Sequence, residues 1–143
     1  MVHLTADELM HYSNDERKKW HSWLIAKPQA MSAPVQLQGR FPTVGSLIDH
    51  IFLVERPHLQ RLTGETPMAD QTGVANTDVA ELFAFGDAAR EDLLHYSRSL
   101  SEEAAKVPRT FDVRGQRTAM TPRKLLFHIV IHQIRHWAQV ALA

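Results

Sequence analysis

Residues 128–139 of this chain have the sequence HIVIHQIRHWAQ. Its three histidines, His128, His132 and His136, are four residues apart, which is slightly more than one turn of an α-helix. Thr121-Pro122 precedes the stretch and is a typical helix start, with a capping side chain followed by proline. The remaining positions are mostly apolar. The stretch therefore predicts a final helix that is largely buried although it carries histidines.

Two of these histidines lie on one face of the predicted helix. Each residue advances by about 100°, so His132 and His136 are separated by about 40° on the projection. His128 and Gln139 border the same face but point less directly along it. The rest of the circumference is also mostly apolar. We therefore expect other protein, with a second subunit as one candidate, to surround the helix nearly completely.

Two imidazoles at positions i and i+4 can converge on one metal ion, because a neutral ring nitrogen is a good ligand for zinc, nickel, copper or iron. A third ligand has to come from another helix, and it must be a His, Asp or Glu because the chain has no cysteine. His50 meets this requirement, since Leu53 and Val54 lie on its face of a helical projection. The pattern predicts a metal site formed by His50, His132 and His136.

Other interpretations of these residues stay open. A pair of histidines four residues apart is more often a core or surface pair than a metal site. His128 is interpreted as a residue that supports a ligand or fills the core. Ser46, one turn before His50, and Gln139 could orient a ligand, or could equally be packing residues with satisfied hydrogen bonds. Surface or boundary positions without a task are predicted for His3, His11, His21, His58 and His95.

Three further segments have helical periodicity, which predicts an all-α protein with four helices. Cap and stop signals place these helices at about residues 5–25, 43–62 and 77–100. Pro57 lies inside the second segment and should kink or split that helix. The charged run Asp15–Lys19 in the first segment is expected to face solvent. Residues from about 104 to 120 form a predicted loop, with an extended piece or hairpin around Gly115.

Composition limits the classes of function. The chain of 143 residues is long enough for one hydrophobic core and short for two, which predicts a single domain over residues 1–143. Lys plus Arg and Asp plus Glu both number 16, so no excess positive charge favours nucleic-acid binding. The absence of cysteine excludes disulfides and thiolate ligands. Neither a signal peptide nor a membrane span is visible, and we expect a cytoplasmic protein.

Two stretches resemble a known family. SLIDHIFLVERPHLQRL, residues 46–62, and LLFHIVIHQIRHWAQV, residues 125–140, are similar to the DinB-like superfamily of metal-binding four-helix bundles. The resemblance implies a four-helix bundle with long connections and a crossover between helices 2 and 3. The loop of about 13 residues before Thr77 would span roughly 43 Å if extended, enough for that crossover. It also implies His50, His132 and His136 as the ligands of a divalent metal.

The chain departs from the family pattern at two places. The glutamate that is frequent after the first of the paired histidines is Gln133 here. Where the family often has His-Arg-Gly-Gln, this chain has His136-Trp137-Ala138-Gln139. The three ligand positions are intact.

Three neutral histidines leave coordination positions for water, which is typical of a catalytic site. Such water could serve hydrolysis, or a thiolate could displace it for transfer or isomerisation. The family includes transferases and isomerases that use a low-molecular-weight thiol, so the leading hypothesis is a metal-dependent transferase, isomerase or hydrolase. Zinc or nickel is the expected metal, with iron or manganese as alternatives, and the resemblance also implies a homodimer. The competing hypotheses are a non-catalytic metal-binding or stress-related dimeric bundle, and a metal-free structural bundle.

Overall fold

Helices make up most of the described chain. The computed structural model describes residues 4–35, 40–69, 71–113 and 115–143. The elements in chain order are α1 (Ala6–Ala26), a 3-10 turn (Pro28–Ser32), α2 (Val44–Thr63), α3 (Val79–Ser99), α4 (Glu102–Lys106), β1 (Arg109–Val113), β2 (Gln116–Met120) and α5 (Pro122–Val140). The prediction of a mostly helical protein is confirmed. None of the described helices combines the length and apolarity that a membrane span requires.

The helix starts follow the capping signals in the sequence. Thr5 and Glu8 form the predicted capping box at the start of α1. Thr43 and Ser46 form a second one at the start of α2, and Thr121 caps α5 directly before Pro122. These side chains accept hydrogen bonds from backbone N–H groups that the first helical turn leaves without partners.

Two details of the connections differ from expectation. Helix α2 continues through Pro57 as one element, so the proline does not split it. Part of the predicted loop is the short helix α4, which Ser101 caps by accepting from the backbone N–H of Ala104.

The predicted hairpin is confirmed, with Val113 paired to Gln116 in the antiparallel register. Gly115 in its turn has φ of 78°, a conformation that glycine adopts without strain.

The four long helices pack around two apolar clusters. Helix α2 packs against α3 and α5, and α1 packs against the same two helices. One cluster contains Phe52, Phe83 and Trp137. The other contains Met10 and Leu93, together with residues of the first half of α5. Burial of these side chains is the main favourable contribution to folding.

A buried polar layer separates the two clusters. Glu55 of α2 is 0% exposed and Arg17 of α1 is 2% exposed. Arg17 donates to the Glu55 carboxylate over 3.2 Å, and Arg90 of α3 donates to it over 2.6 Å. Gln133 of α5 bonds to both Glu55 and Arg90. Each buried charge therefore has an opposite charge beside it, which buried charges require.

This layer corrects the prediction for the charged run Asp15–Lys19. Asp15, Lys18 and Lys19 are exposed as expected, but Arg17 is buried. Its second nitrogen donates to Asp87 over 2.7 Å, and its guanidinium lies 5.0 Å from the centre of the Phe52 ring. Burial lowers the pKa of Arg17, while the Glu55 carboxylate opposes that change. The charged run therefore lies mostly at the surface, and only Arg17 points into the protein.

Helix α5 is less enclosed than its composition predicts. Within the described chain its exposed positions are Arg123, Lys124, His128, Ile131, Arg135 and Ala138. The prediction of a nearly surrounded helix is therefore wrong for the single chain. Trp137 faces inward, where its ring stacks on that of Trp20 with a centroid distance of 6.2 Å. The bulky side chain in place of the family's arginine thus fills the core.

Candidate metal centre

The structure brings together the three histidines that the sequence selects as ligands. His50 comes from the first half of α2, and His132 and His136 come from the second half of α5. The ring centroids of His132 and His136 are 4.3 Å apart, and that of His50 lies 5.0 and 5.1 Å from them. One nitrogen from each ring lies within 4.8 Å of the other two. The three side chains could hold a metal ion.

Gln139 fixes the orientation of the His136 ring. Its side-chain oxygen lies 2.5 Å from Nδ1 of His136, and an amide oxygen only accepts hydrogen bonds. The proton of the neutral ring is therefore on Nδ1, and Nε2 carries the lone pair. This Nε2 lies within hydrogen-bond distance of Nε2 of His132, at 3.0 Å, a separation that is also close to the roughly 3.3 Å between nitrogens on a tetrahedral zinc ion. The arrangement fits one cation shared by both rings.

His132 is held in its neutral form. Burial, followed by the neighbouring His136 and His50, lowers its pKa to about 3. Its Nδ1 is buried and has no hydrogen-bond partner among the described residues. A neutral imidazole is the form that binds a metal, so His132 does not have to lose a proton at neutral pH.

Phe41 covers the third histidine. Its ring stacks on His50 with a centroid distance of 4.1 Å and an angle of 23°, and it lies nearly perpendicular to the His136 ring with a centroid distance of 6.3 Å. The hydroxyl of Ser46 donates to the carbonyl oxygen of Thr43 over 2.8 Å. Ser46 therefore serves the start of the helix that carries His50.

A cleft of about 380 Å³ extends from the histidines along the groove between α2 and α5. Its lining residues are Arg40, Phe41, His50, Leu53, Val54, Pro57, His58, Arg61, Val113, His128 and His132. The rings of His58 and His128 lie 5.6 Å apart. His50 of α2 is thus close to His132 of α5, whereas the later residue His58 is close to the earlier residue His128. The two helices are therefore antiparallel along the cleft. One end of the cleft holds the candidate ligands and the other holds His58, Arg61 and His128.

Two expectations change at this cleft. His128 is exposed, so its interpretation as a core residue is wrong, although its ring lies 5.9 Å from that of His132. His58 has a place in the cleft that its sequence position did not reveal. A signal was present in the spacing, because His50 and His58 are eight residues apart, as are His128 and His136. That match acquires meaning only once the two helices are known to be antiparallel.

The comparison with models of protein families agrees with the resemblance. The model of the DinB family matches residues 1–143. The chain belongs to the DinB family. A search of curated proteins found no match to the chain.

Proposed function

We propose that this protein is a divalent-metal-binding DinB protein and a metal-dependent enzyme, with His50, His132 and His136 as the ligands. The observation that carries the proposal is the approach of one nitrogen from each ring to within 4.8 Å of the others. Three imidazole ligands suit zinc or nickel, with iron or manganese as alternatives.

We also propose that residues 1–143 form one four-helix bundle domain. Phe52 of α2 contacts Phe83 near the start of α3, and Arg56 bonds to Asp92 further along. Position numbers rise together in these two contacts, which supports a parallel arrangement of α2 and α3. A parallel pair requires the connection between them to cross from one end of the bundle to the other.

The proposed centre has protein ligands for only part of the coordination sphere of a metal ion. Three ligands leave positions for water or substrate. A divalent cation bound there would act as a Lewis acid that polarises a substrate and lowers the pKa of water or a thiol. Gln139 holds the proton on Nδ1 of His136 and so directs Nε2 to the centre. Phe41 limits the access of water to the side of His50.

Metal binding is tested first. Protein purified without a histidine tag should contain about one divalent ion per chain by elemental analysis. His50→Ala, His132→Ala and His136→Ala should each weaken zinc binding in calorimetry by more than about 100-fold, because losing a ligand exceeds the 10–100-fold effect of losing a supporting contact. His95→Ala, at an exposed position of α3, is the matched control. Full zinc affinity in His50→Ala would contradict the assignment.

Catalysis is tested on the loaded protein. We propose thiol-dependent transfer or isomerisation, or hydrolysis, as the reaction type. A panel of low-molecular-weight thiols with electrophilic acceptors, and of simple esters, should give turnover that His136→Ala abolishes and His95→Ala keeps. Stoichiometric metal without turnover in any assay would favour the alternative, a non-catalytic metal-binding protein.

We propose that two copies form a homodimer. Support comes from Ile131, a large apolar side chain that is 48% exposed on α5. Light scattering on protein eluting from a size-exclusion column should give twice the monomer mass. Ile131→Asp should lower the measured mass towards that of the monomer, since a buried unpaired charge opposes association. A monomer at all concentrations would contradict this.

A further inference from the structure

We infer that the cleft beside the histidines binds an elongated small-molecule anion, with its anionic end at Arg61 and its reacting end at the proposed metal. The inference rests on the proposed metal site and adds the class of substrate. Carboxylates and phosphates share the chemistry that this cleft would recognise.

The charge of the lining favours an anion. Arg40 and Arg61 line the cleft, and its described lining residues include neither aspartate nor glutamate. Neither carboxylate of α2 lines the cleft: Glu55 lies in the buried polar layer, and Asp49 accepts from the hydroxyl of Thr72 over 2.8 Å. Arg40 lies at the histidine end, where its guanidinium is 5.7 Å from the centre of the Phe41 ring. Both ends of the cleft thus carry a guanidinium.

Arg61 is held in a fixed orientation at the far end. Its Nε donates to the carbonyl oxygen of Asp112 in β1 over 2.6 Å. A terminal nitrogen lies 3.3 Å from Nδ1 of His58, and arginine has only donors. His58 therefore accepts at Nδ1, and in the neutral ring its proton is on Nε2. A guanidinium anchored in this way binds a carboxylate or phosphate with less loss of side-chain freedom.

The middle of the cleft sets the shape of the ligand. Leu53, Val54 and Pro57 line it between the two ends. His50 and His58 are eight residues apart on α2, a rise of about 12 Å along the helix. A ligand that reaches from the histidines to Arg61 therefore needs an apolar middle several atoms long. The cleft volume lies within the range of small-molecule sites.

A matched pair of hydroxamates tests the inference. Suberic acid monohydroxamate places a metal-binding group at one end of an eight-carbon chain and a carboxylate at the other. The second compound of the pair has a terminal amide in place of that carboxylate, so that the two compounds have nearly the same size and shape but differ in charge. With zinc-loaded protein, calorimetry should show the carboxylate form binding about tenfold or more tightly than the amide, as expected for a hydrogen-bonded ion pair. Equal affinity of the two compounds would overturn the inference.

Variants locate the anion. Arg61→Gln should reduce the ratio of the two affinities towards one, while Arg56→Gln, on the same helix but paired with Asp92, should leave it unchanged. If Arg61→Gln fails to melt cooperatively, His58→Phe replaces it, because it removes the acceptor for Arg61 and should also lower the ratio. A ratio unchanged in the folded variant would overturn the position of the anion.

Zinc content and zinc affinity are measured on every sample. Zinc bound with normal affinity but without preference for the carboxylate would overturn only this inference. Absence of zinc binding in the wild-type protein would overturn the proposed function and this inference with it.

Discussion

The side-chain amide of Gln133 on α5 donates a hydrogen bond to the carboxylate of Glu55 on α2. Its oxygen accepts from Arg90 of α3, so the amide acts as donor and acceptor at once. A glutamate, which is frequent at this position in the family, could only accept while ionised. The departure from the family pattern therefore matches the presence of Glu55 in the same buried layer.

We expect Gln133→Glu to destabilise the protein by about 1–3 kcal/mol, because a buried hydrogen bond is lost and two carboxylates face each other. Urea denaturation measures the free energy of unfolding. Ala138→Glu places the same charge at an exposed position of α5 and should change stability by less than about 0.5 kcal/mol. Equal stability of wild type and Gln133→Glu would show that the amide is not needed as a donor.

Gln139 should control metal affinity through His136. Gln139→Leu removes the acceptor for Nδ1 and should weaken zinc binding about 10–100-fold, the usual effect of losing such a partner. Gln139→Glu keeps an acceptor and should bind zinc at least as tightly as wild type. Competition with a chromogenic chelator measures both. Similar affinities for the two variants would exclude an orienting role.

Gly86 should resist replacement by alanine. A Cβ at Gly86 would lie 2.6 Å from the Phe52 ring, so Gly86→Ala should destabilise the protein by about 1 kcal/mol or more through overpacking. Helix propensity alone predicts the opposite sign, a gain of about 0.5–1 kcal/mol. Ala88→Gly, at an exposed position of α3, calibrates that propensity. A more stable Gly86→Ala protein would mean that Phe52 moves aside at no cost.

The capping box of α1 should make stability depend on pH. Glu8 accepts from the backbone N–H of Thr5 over 2.9 Å and from its hydroxyl over 2.8 Å, and these bonds lower the pKa of Glu8. A carboxyl whose pKa is lower in the folded state adds stability above its ordinary pKa and loses it as the pH falls through the lowered value. The melting temperature of wild type should therefore exceed that of Glu8→Gln at neutral pH, and the difference should disappear once the pH has fallen below the lowered pKa of Glu8.

The control for this titration is Glu91→Gln, at an exposed position of α3. Its melting temperature should follow that of wild type across the acid range. A difference between wild type and Glu8→Gln that is constant with pH would show that the carboxylate charge does not strengthen the cap.

Local signals predict much of this fold. Capping residues such as Thr5 and Thr121 act within a few positions of the chain, and apolar periodicity reports which side of a helix is buried. For the same reason the pairing of His132 with His136 follows from one helix alone. Joining His50 to that pair required a second criterion, an apolar face, and the resemblance to a family.

The features that the sequence did not predict depend on contacts between residues far apart in the chain. Arg17 sits among exposed charges, and its partner Glu55 is 38 positions away, so no local pattern distinguishes it from its neighbours. Arg61 takes its place in the cleft through Asp112 of the hairpin, 51 positions away. Burial of a charge depends on a partner that only the packed helices supply.

The polar layer has a consequence for how the chain assembles. Each long helix supplies at least one member, with Arg17 from α1, Glu55 from α2, Arg90 from α3 and Gln133 from α5. A partly folded species in which one of these helices is undocked would leave a buried charge without its partner, or would expose the polar layer to solvent. Such species are high in energy, so the transition between coil and native protein should be all-or-none.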